Sequence, residues 1–210
     1  MGRLVNGING PIRGTVGTVV GSSRYGVPYL KAYYKKRTTK ISAKEKGNRG
    51  KFAQSQFWLK PILDFVREGY KHYSPTVKGF VAAKSYLSRN AFEGEAPNQH
   101  INPALVKVSY GDLPVSNDIA VALTDDGYLQ FTWDPANVTG GSDKDQVMML
   151  AYDIENAYAK EDITGQLRST GADRLKIDTS KKRTYHVYCA FNAADRSKTS
   201  DSVYLGTISI

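Results

Sequence analysis

The sequence has 210 residues, of which 40% are hydrophobic and 11% aromatic. A chain of this length fits one large domain or two small ones, and this hydrophobic content excludes wholesale disorder. The single cysteine, Cys189, excludes an intrachain disulfide and is expected to be a small core residue. No run of 18 apolar residues is present, so we expect no membrane-spanning helix.

Charge is distributed unevenly along the chain. Residues 1–89 contain 18 Lys and Arg and three acids, a net charge of +15, whereas residues 90–210 contain 11 Lys and Arg and 17 acids, a net charge of −6. This division predicts two functional regions, the first of which faces a polyanion. The alternatives are a charge dipole that favours head-to-tail self-association, or charge that only keeps the protein soluble.

The first 26 residues are rich in glycine, which alternates with Val and Ile. Residues 15–20 and 27–34 have the composition of two strands, and residues 22–26 can form the turn between them. A lone hairpin is marginal in water, so it is expected to dock on the following helices or on a neighbouring subunit. The glycines lack the Gly-Lys-Ser/Thr or three-glycine patterns of phosphate-binding loops, so we assign them to turns.

Helical patterns follow in residues 42–88. Ser42 and Glu45 have the spacing of a capping box, and Pro61 is expected to kink the helix or to start a second one. Ser74-Pro75 predicts the start of a further helix that ends near Ser88. The apolar residues at helical spacing in the first part are Phe52, Leu59, Leu63, Val66 and Tyr70.

The remainder of the chain predicts a linker followed by strands. Residues 90–103 are rich in Asn, Pro and Gly, which is typical of a linker. Beyond them, short β-branched and aromatic segments separated by turn residues predict a two-sheet sandwich, with an edge loop or helical turn at 155–164. The predicted strands are 104–110, 119–123, 128–133, 146–152, 174–178, 185–192 and 202–210.

Residues 104–210 resemble fibronectin type III and immunoglobulin-like domains. Residues 128–135 are similar to that family's second strand, which often ends in Trp and Pro, and residues 185–192 to its sixth, with Tyr185 at the tyrosine-corner position. The sequence departs from the family at 178–183, where a leucine-proline-glycine approach is usual. The predicted fold class is therefore α+β: a basic hairpin and helical region (1–89), a linker (90–103) and a fibronectin-like or immunoglobulin-like β-sandwich (104–210).

The amino-terminal motifs resemble those of an uncharacterised bacterial family. They are Asn-Gly-Ile-Asn-Gly at 6–10, the glycine–valine repeat at 14–21 and Lys-Lys-Arg-Thr at 35–38. This resemblance implies no activity.

Residues typical of catalysis or metal binding form no recognisable pattern. His72, His100 and His186 are far apart and none has zinc-ligand spacing, and no Gly-x-Ser-x-Gly nucleophile motif occurs. We therefore expect no enzyme activity, no cofactor, no metal and no small-molecule substrate.

One segment is dense in Lys and Arg interleaved with tyrosines. Its cations can neutralise phosphates, and its tyrosines can stack on unpaired bases, without sequence preference. In the alternative interpretation, the tyrosines pack the hairpin and the lysines only solvate it. The candidate residues for binding nucleic acid or another polyanion are Arg24, Lys31, Lys35, Lys36, Arg37, Lys40, Lys44, Lys46, Arg49, Lys51, Tyr25, Tyr29 and Tyr33.

These patterns favour a non-enzymatic structural component of a multi-subunit assembly of the phage or virus-like particle type. It would be a homo-oligomer or part of a larger protein assembly, with no membrane association. Two alternatives stay open: a nucleic-acid-binding accessory protein that ignores sequence, and a protein-recognition module. The amino terminus lacks the apolar core of a secretory signal, so the expected location is the cytoplasm or an assembled particle.

Overall fold

The computed structural model describes residues 2–4, 6–7, 10–36, 38–77, 79–95, 98–136 and 139–210. The chain folds as two compact units, Met1–Ser42 and Ala43–Ile210, and combines helices with antiparallel sheets in a mixed α+β fold. Ile8 and Asn9 of the first glycine motif, and Ala96 and Pro97 of the expected linker, lie outside the described residues.

The first unit is a four-stranded antiparallel sheet rather than a single hairpin. Its strands are β1 (Arg3–Leu4), β2 (Ile12–Val16), β3 (Val19–Arg24) and β4 (Val27–Ala32), in that spatial order. The strand predicted over 15–20 is wrong, because a two-residue turn at 17–18 separates β2 from β3. A second two-residue turn at 25–26 has positive φ at both residues, the geometry that suits the twist of a hairpin.

Three helices open the second unit. They are α1 (Ala43–Leu59), α2 (Leu63–Gly69) and α3 (Gly79–Asn90), and a 3-10 turn at Lys60–Ile62 joins the first two. Pro61 lies in that turn, where its missing N–H and fixed φ end one helix before the next begins. The third helix begins at Gly79 rather than at the predicted Ser74-Pro75.

Two sheets and a short hairpin complete the second unit. The hairpin consists of β5 (Phe92–Glu93) and β6 (His100–Ile101), inside the expected linker. A three-stranded sheet has the order β11-β8-β7, and a four-stranded sheet has the order β10-β9-β12-β13. Their bounds are β7 (Ala120–Leu123), β8 (Tyr128–Thr132), β9 (Gln146–Asp153), β10 (Tyr158–Asp162), β11 (Ala172–Lys176), β12 (Thr184–Asn192) and β13 (Val203–Ser209).

Two sequence predictions in this region are wrong. Residues 104–110 form no strand, because their N–H groups bond elsewhere: Val108 to the Ser202 side chain and Tyr110 to the Gly69 carbonyl. The alternation of Val106 and Val108 in the sequence predicts a strand, but here the two side chains are buried in a segment without one. Residues 158–162, expected to be a loop or helical turn, form the edge strand β10.

The central strands β9 and β12 separate two cores. Met148, Leu150 and Tyr152 lie in one core with the helices. Val147, Met149 and Ala151 lie in the other with the three-stranded sheet. The helices therefore share a compact unit with the strands, and the division between units falls after Ser42 rather than within residues 90–103.

A buried ion pair stabilises one end of the two sheets. The Arg168 guanidinium contacts the Asp145 carboxylate at 3.1 Å, and the two side chains are 1% and 2% exposed. It also donates to the Ser116 hydroxyl and to the Pro114 carbonyl, each at 2.8 Å. Its Cζ lies 4.3 Å from the centre of the Phe191 ring.

Replacing Arg168 by Ala leaves the Asp145 carboxylate buried without its cation. We expect the free energy of unfolding to fall by about 3–5 kcal/mol, measured by chemical denaturation. The matched control is Arg174→Ala, which removes the exposed pair with Asp126 at 3.7 Å and is expected to cost less than about 1 kcal/mol. Similar losses for the two variants would contradict this role of Arg168.

Candidate functional site

The amino-terminal sheet has two chemically different faces, set by the register of β2, β3 and β4. Side chains of directly paired residues lie on the same face of a sheet, and neighbours along a strand alternate. We call one the uncharged face: Val16, Val19, Gly21, Ser23, Pro28, Leu30 and Ala32. We call the other the basic face: Thr15, Val20, Ser22, Arg24, Val27, Tyr29 and Lys31.

The uncharged face is largely open. Leu30 is 59% exposed and Val16 46% exposed, and of the described residues in this unit only Gly21 is buried. A Cβ at Gly21 would lie 1.9 Å from the carbonyl oxygen of Ile12, so glycine is needed for the close approach of β2. The unit therefore brings its backbones together without enclosing a side-chain core.

The basic face presents cations and tyrosines in alternation. Tyr29 is 43% exposed, and Lys31 follows it on the same face. The Tyr33 N–H donates to the Thr18 carbonyl at 2.8 Å, which continues the pairing one residue beyond β4 and extends the alternation to Tyr33, 55% exposed. At the turn, the Arg24 guanidinium lies 5.5 Å from the centre of the Tyr25 ring.

The structure divides the predicted polyanion-binding residues between the two units. Arg37 lies outside the described residues. The first unit contains Arg24, Tyr25, Tyr29, Lys31, Tyr33, Lys35, Lys36 and Lys40, and helix α1 of the second unit contains Lys44, Lys46, Arg49 and Lys51.

Two of the α1 cations contact groups of their own unit. Arg49 pairs with Glu45 at 2.8 Å, and the Lys51 ammonium lies 5.3 Å from the centre of the Phe92 ring. The sequence-based prediction grouped the candidate polyanion-binding residues only because they are close together in the sequence. The basic face, by contrast, brings together Arg24, Tyr29 and Lys31 through strand register.

Sequence reasoning missed a shallow cleft in the second unit. The Trp58 indole N–H there is buried with no hydrogen-bond partner among the described residues. His186 Nδ1 lies 2.9 Å from the Tyr204 hydroxyl, and burial lowers the pKa of the imidazole. No local motif signals this cleft, because its lining comes from four distant segments: Gln54, Phe57, Trp58, Gln99, His100, Ile101, Pro103, Ile154, Glu155 and His186.

The single cysteine is not accessible as a nucleophile. Cys189 is fully buried, and this burial raises the pKa of its thiol to about 12. Three or more His, Cys, Asp or Glu side chains converge nowhere in the described ranges as a metal site would require. None of the helices in the described part of the chain has both the length and the apolar character needed to cross a membrane.

A sequence profile of the family of unknown function DUF6266 matches residues 11–206. The chain belongs to this family. The match includes β2, β3 and β4 as well as the helices and both larger sheets of the second unit. No curated protein and no solved structure gives a significant match to this DUF6266 chain.

A half-buried carboxyl with no ion-pair partner among the described residues lies where β10 meets α2. Burial of Glu161, with a smaller contribution from the Asp64 charge, raises the pKa of its carboxyl to about 7, and its Oε2 has no hydrogen-bond partner among the described residues. The unfolded chain releases this proton near pH 4.3. Since the folded state holds the proton to higher pH, stability falls as pH rises from about 4.5 to above 7.

Glu161→Gln keeps the neutral form at every pH. We expect this variant to melt at a higher temperature than the parent at pH 8 and to lose part of the decline in melting temperature between pH 5 and pH 8, followed by scanning calorimetry. The exposed Glu95→Gln is the control and should leave that decline unchanged. If the melting temperatures of Glu161→Gln and the parent fall equally between pH 5 and pH 8, the raised pKa of Glu161 is contradicted.

Proposed function

We propose that this DUF6266 protein is a non-enzymatic structural component of a multi-subunit assembly of the phage or virus-like particle type. The observation that carries the proposal is the open uncharged face of the amino-terminal sheet. Contiguous exposed apolar surface of this kind marks protein–protein contacts. The sheet would dock on a neighbouring subunit, in a homo-oligomer or a larger protein assembly.

The two faces of the sheet are unequally suited to burial. Packing a partner over Leu30 and Val16 removes apolar surface from water at no electrostatic cost. Packing one over Arg24 and Lys31 would desolvate charges that the sheet does not neutralise, since residues 1–42 contain no acid. The neighbouring subunit therefore covers the uncharged face and leaves the basic face in solvent.

We also propose that the two larger sheets form a fibronectin type III-like sandwich. The three-stranded sheet contains the first, second and fifth of the seven strands β7 to β13, and the four-stranded sheet contains the other four. This partition supports the resemblance. The Tyr185 hydroxyl donates to the Asp178 carbonyl at 3.2 Å, as a tyrosine corner requires. Such a domain would act as a spacer or bridge between copies.

A second candidate function is a free nucleic-acid-binding accessory protein that ignores sequence. The cations and tyrosines of the basic face favour it. Either protein would operate without a cofactor in the cytoplasm or inside an assembled particle. The two functions predict species of different mass in solution, since only the structural component forms a large discrete oligomer that survives nuclease.

Leu30→Glu places a charge in the middle of the uncharged face. We expect it to convert a large, discrete species into a smaller one, measured by size-exclusion chromatography with light scattering after nuclease treatment, because a buried unpaired carboxylate opposes docking. The control is Val81→Glu on α3, a residue 48% exposed, which should leave the mass unchanged. A parent protein that is monomeric at high concentration would overturn the proposal.

A further inference from the structure

We propose that the basic face binds single-stranded nucleic acid, with lysine and arginine on the phosphates and tyrosine rings on the bases. This goes beyond the assembly role. It depends on the face of the sheet opposite to the one that docks, so either proposal can hold without the other.

The positive charge of the first unit favours a polyanionic partner. Residues 1–42 contain eight Lys and Arg and no acid, whereas residues 43–210 contain 21 Lys and Arg and 20 acids. The excess of positive charge is therefore concentrated in the first unit. Lys and Arg side chains in such a cationic region can replace the counterions of a phosphate chain.

The exposed tyrosines favour a single-stranded nucleic acid, whose bases are accessible for stacking. Residues two apart on a strand are roughly 6.6 Å apart, so Tyr29 and Tyr33 lie roughly 13 Å apart on either side of Lys31. Both rings are exposed, at 43% and 55%. Aromatic rings bind by stacking on base faces, which a duplex hides between neighbouring pairs. A lysine between two exposed rings therefore suits an unpaired strand, with phosphate between two stacked bases.

Further side chains extend the row formed by Tyr29, Lys31 and Tyr33. Lys35, beyond the end of β4, lines a surface depression together with Lys31 and Tyr33, and Val19, Leu30 and Ala32 of the uncharged face also line it. At the other end Arg24 lies beside the Tyr25 ring, 5.5 Å from its centre. Contacts to phosphates carry no sequence information, and every base has a face on which a tyrosine can stack, so we expect affinity without sequence preference.

The test uses fluorescence anisotropy of the full chain with a labelled 20-nucleotide oligo(dT), over a range of salt concentrations. In the triple variant Arg24→Gln/Lys31→Gln/Lys35→Gln, the slope of log affinity against log salt should become shallower by about 0.7 for each phosphate that the protein no longer neutralises, or roughly 2 in all. The matched control removes three exposed lysines of the second unit, Lys176→Gln/Lys181→Gln/Lys182→Gln, and should leave the slope unchanged.

Stacking is tested without changing charge. Tyr29→Leu and Tyr33→Leu should each weaken oligo(dT) binding roughly tenfold at constant salt slope, since a base loses its aromatic platform. Phe57→Leu, at a side chain 65% exposed on α1, is the control and should bind as the parent does. A 20-base-pair duplex should bind the parent more weakly than oligo(dT) and should be insensitive to both tyrosine substitutions.

Two results would overturn the proposal. One is an unchanged salt slope in the triple basic-face variant. The other is full affinity of the tyrosine variants together with equal competition by polyglutamate, which would indicate an acidic protein surface instead. Leu30→Asn separates this proposal from the assembly role: it removes apolar surface without adding a negative charge near Lys31, and it should bind oligo(dT) normally even where it no longer assembles.

Discussion

Apolar sheet faces must be covered, and the two units of this DUF6266 protein meet that constraint differently. In the second unit, helices cover one face of the central strands β9 and β12 and the three-stranded sheet covers the other, so that Met148 and Met149 are both fully buried. In the first unit only Gly21 is buried among the described residues. One unit therefore encloses its core within the chain, and the other leaves apolar side chains such as Leu30 exposed.

In the second unit, the helices that cover the central strands pack closely against neighbouring backbone. A Cβ at Gly69, the last residue of α2, would lie 2.6 Å from the Val108 carbonyl oxygen. Tyr152 shows the same packing: its hydroxyl donates to the Trp58 carbonyl at 2.8 Å and its ring meets the Trp58 ring edge-on. These contacts hold the helices against the sheet.

The sequence patterns predicted the positions of strands better than they predicted which residues pair across neighbouring strands. The strands at 146–152 and 185–192 were predicted within one residue, because long apolar runs are unambiguous. An uninterrupted apolar run is also typical of a strand that is covered on both faces, as these two are. The turn at Gly17 was missed because β-branched residues flank it. The pairing that brings Arg24, Tyr29 and Lys31 to one face depends on register, which composition does not encode.

We propose that the amino-terminal sheet gains its stability by docking its uncharged face. Hydrogen–deuterium exchange of the full chain at increasing protein concentration tests this dependence. We expect protection of the β3 amides in Val19–Arg24 to rise steeply with concentration, while the amides of β9 in Gln146–Asp153 stay equally protected throughout. Strong protection of β3 that is already complete in dilute monomer would contradict it.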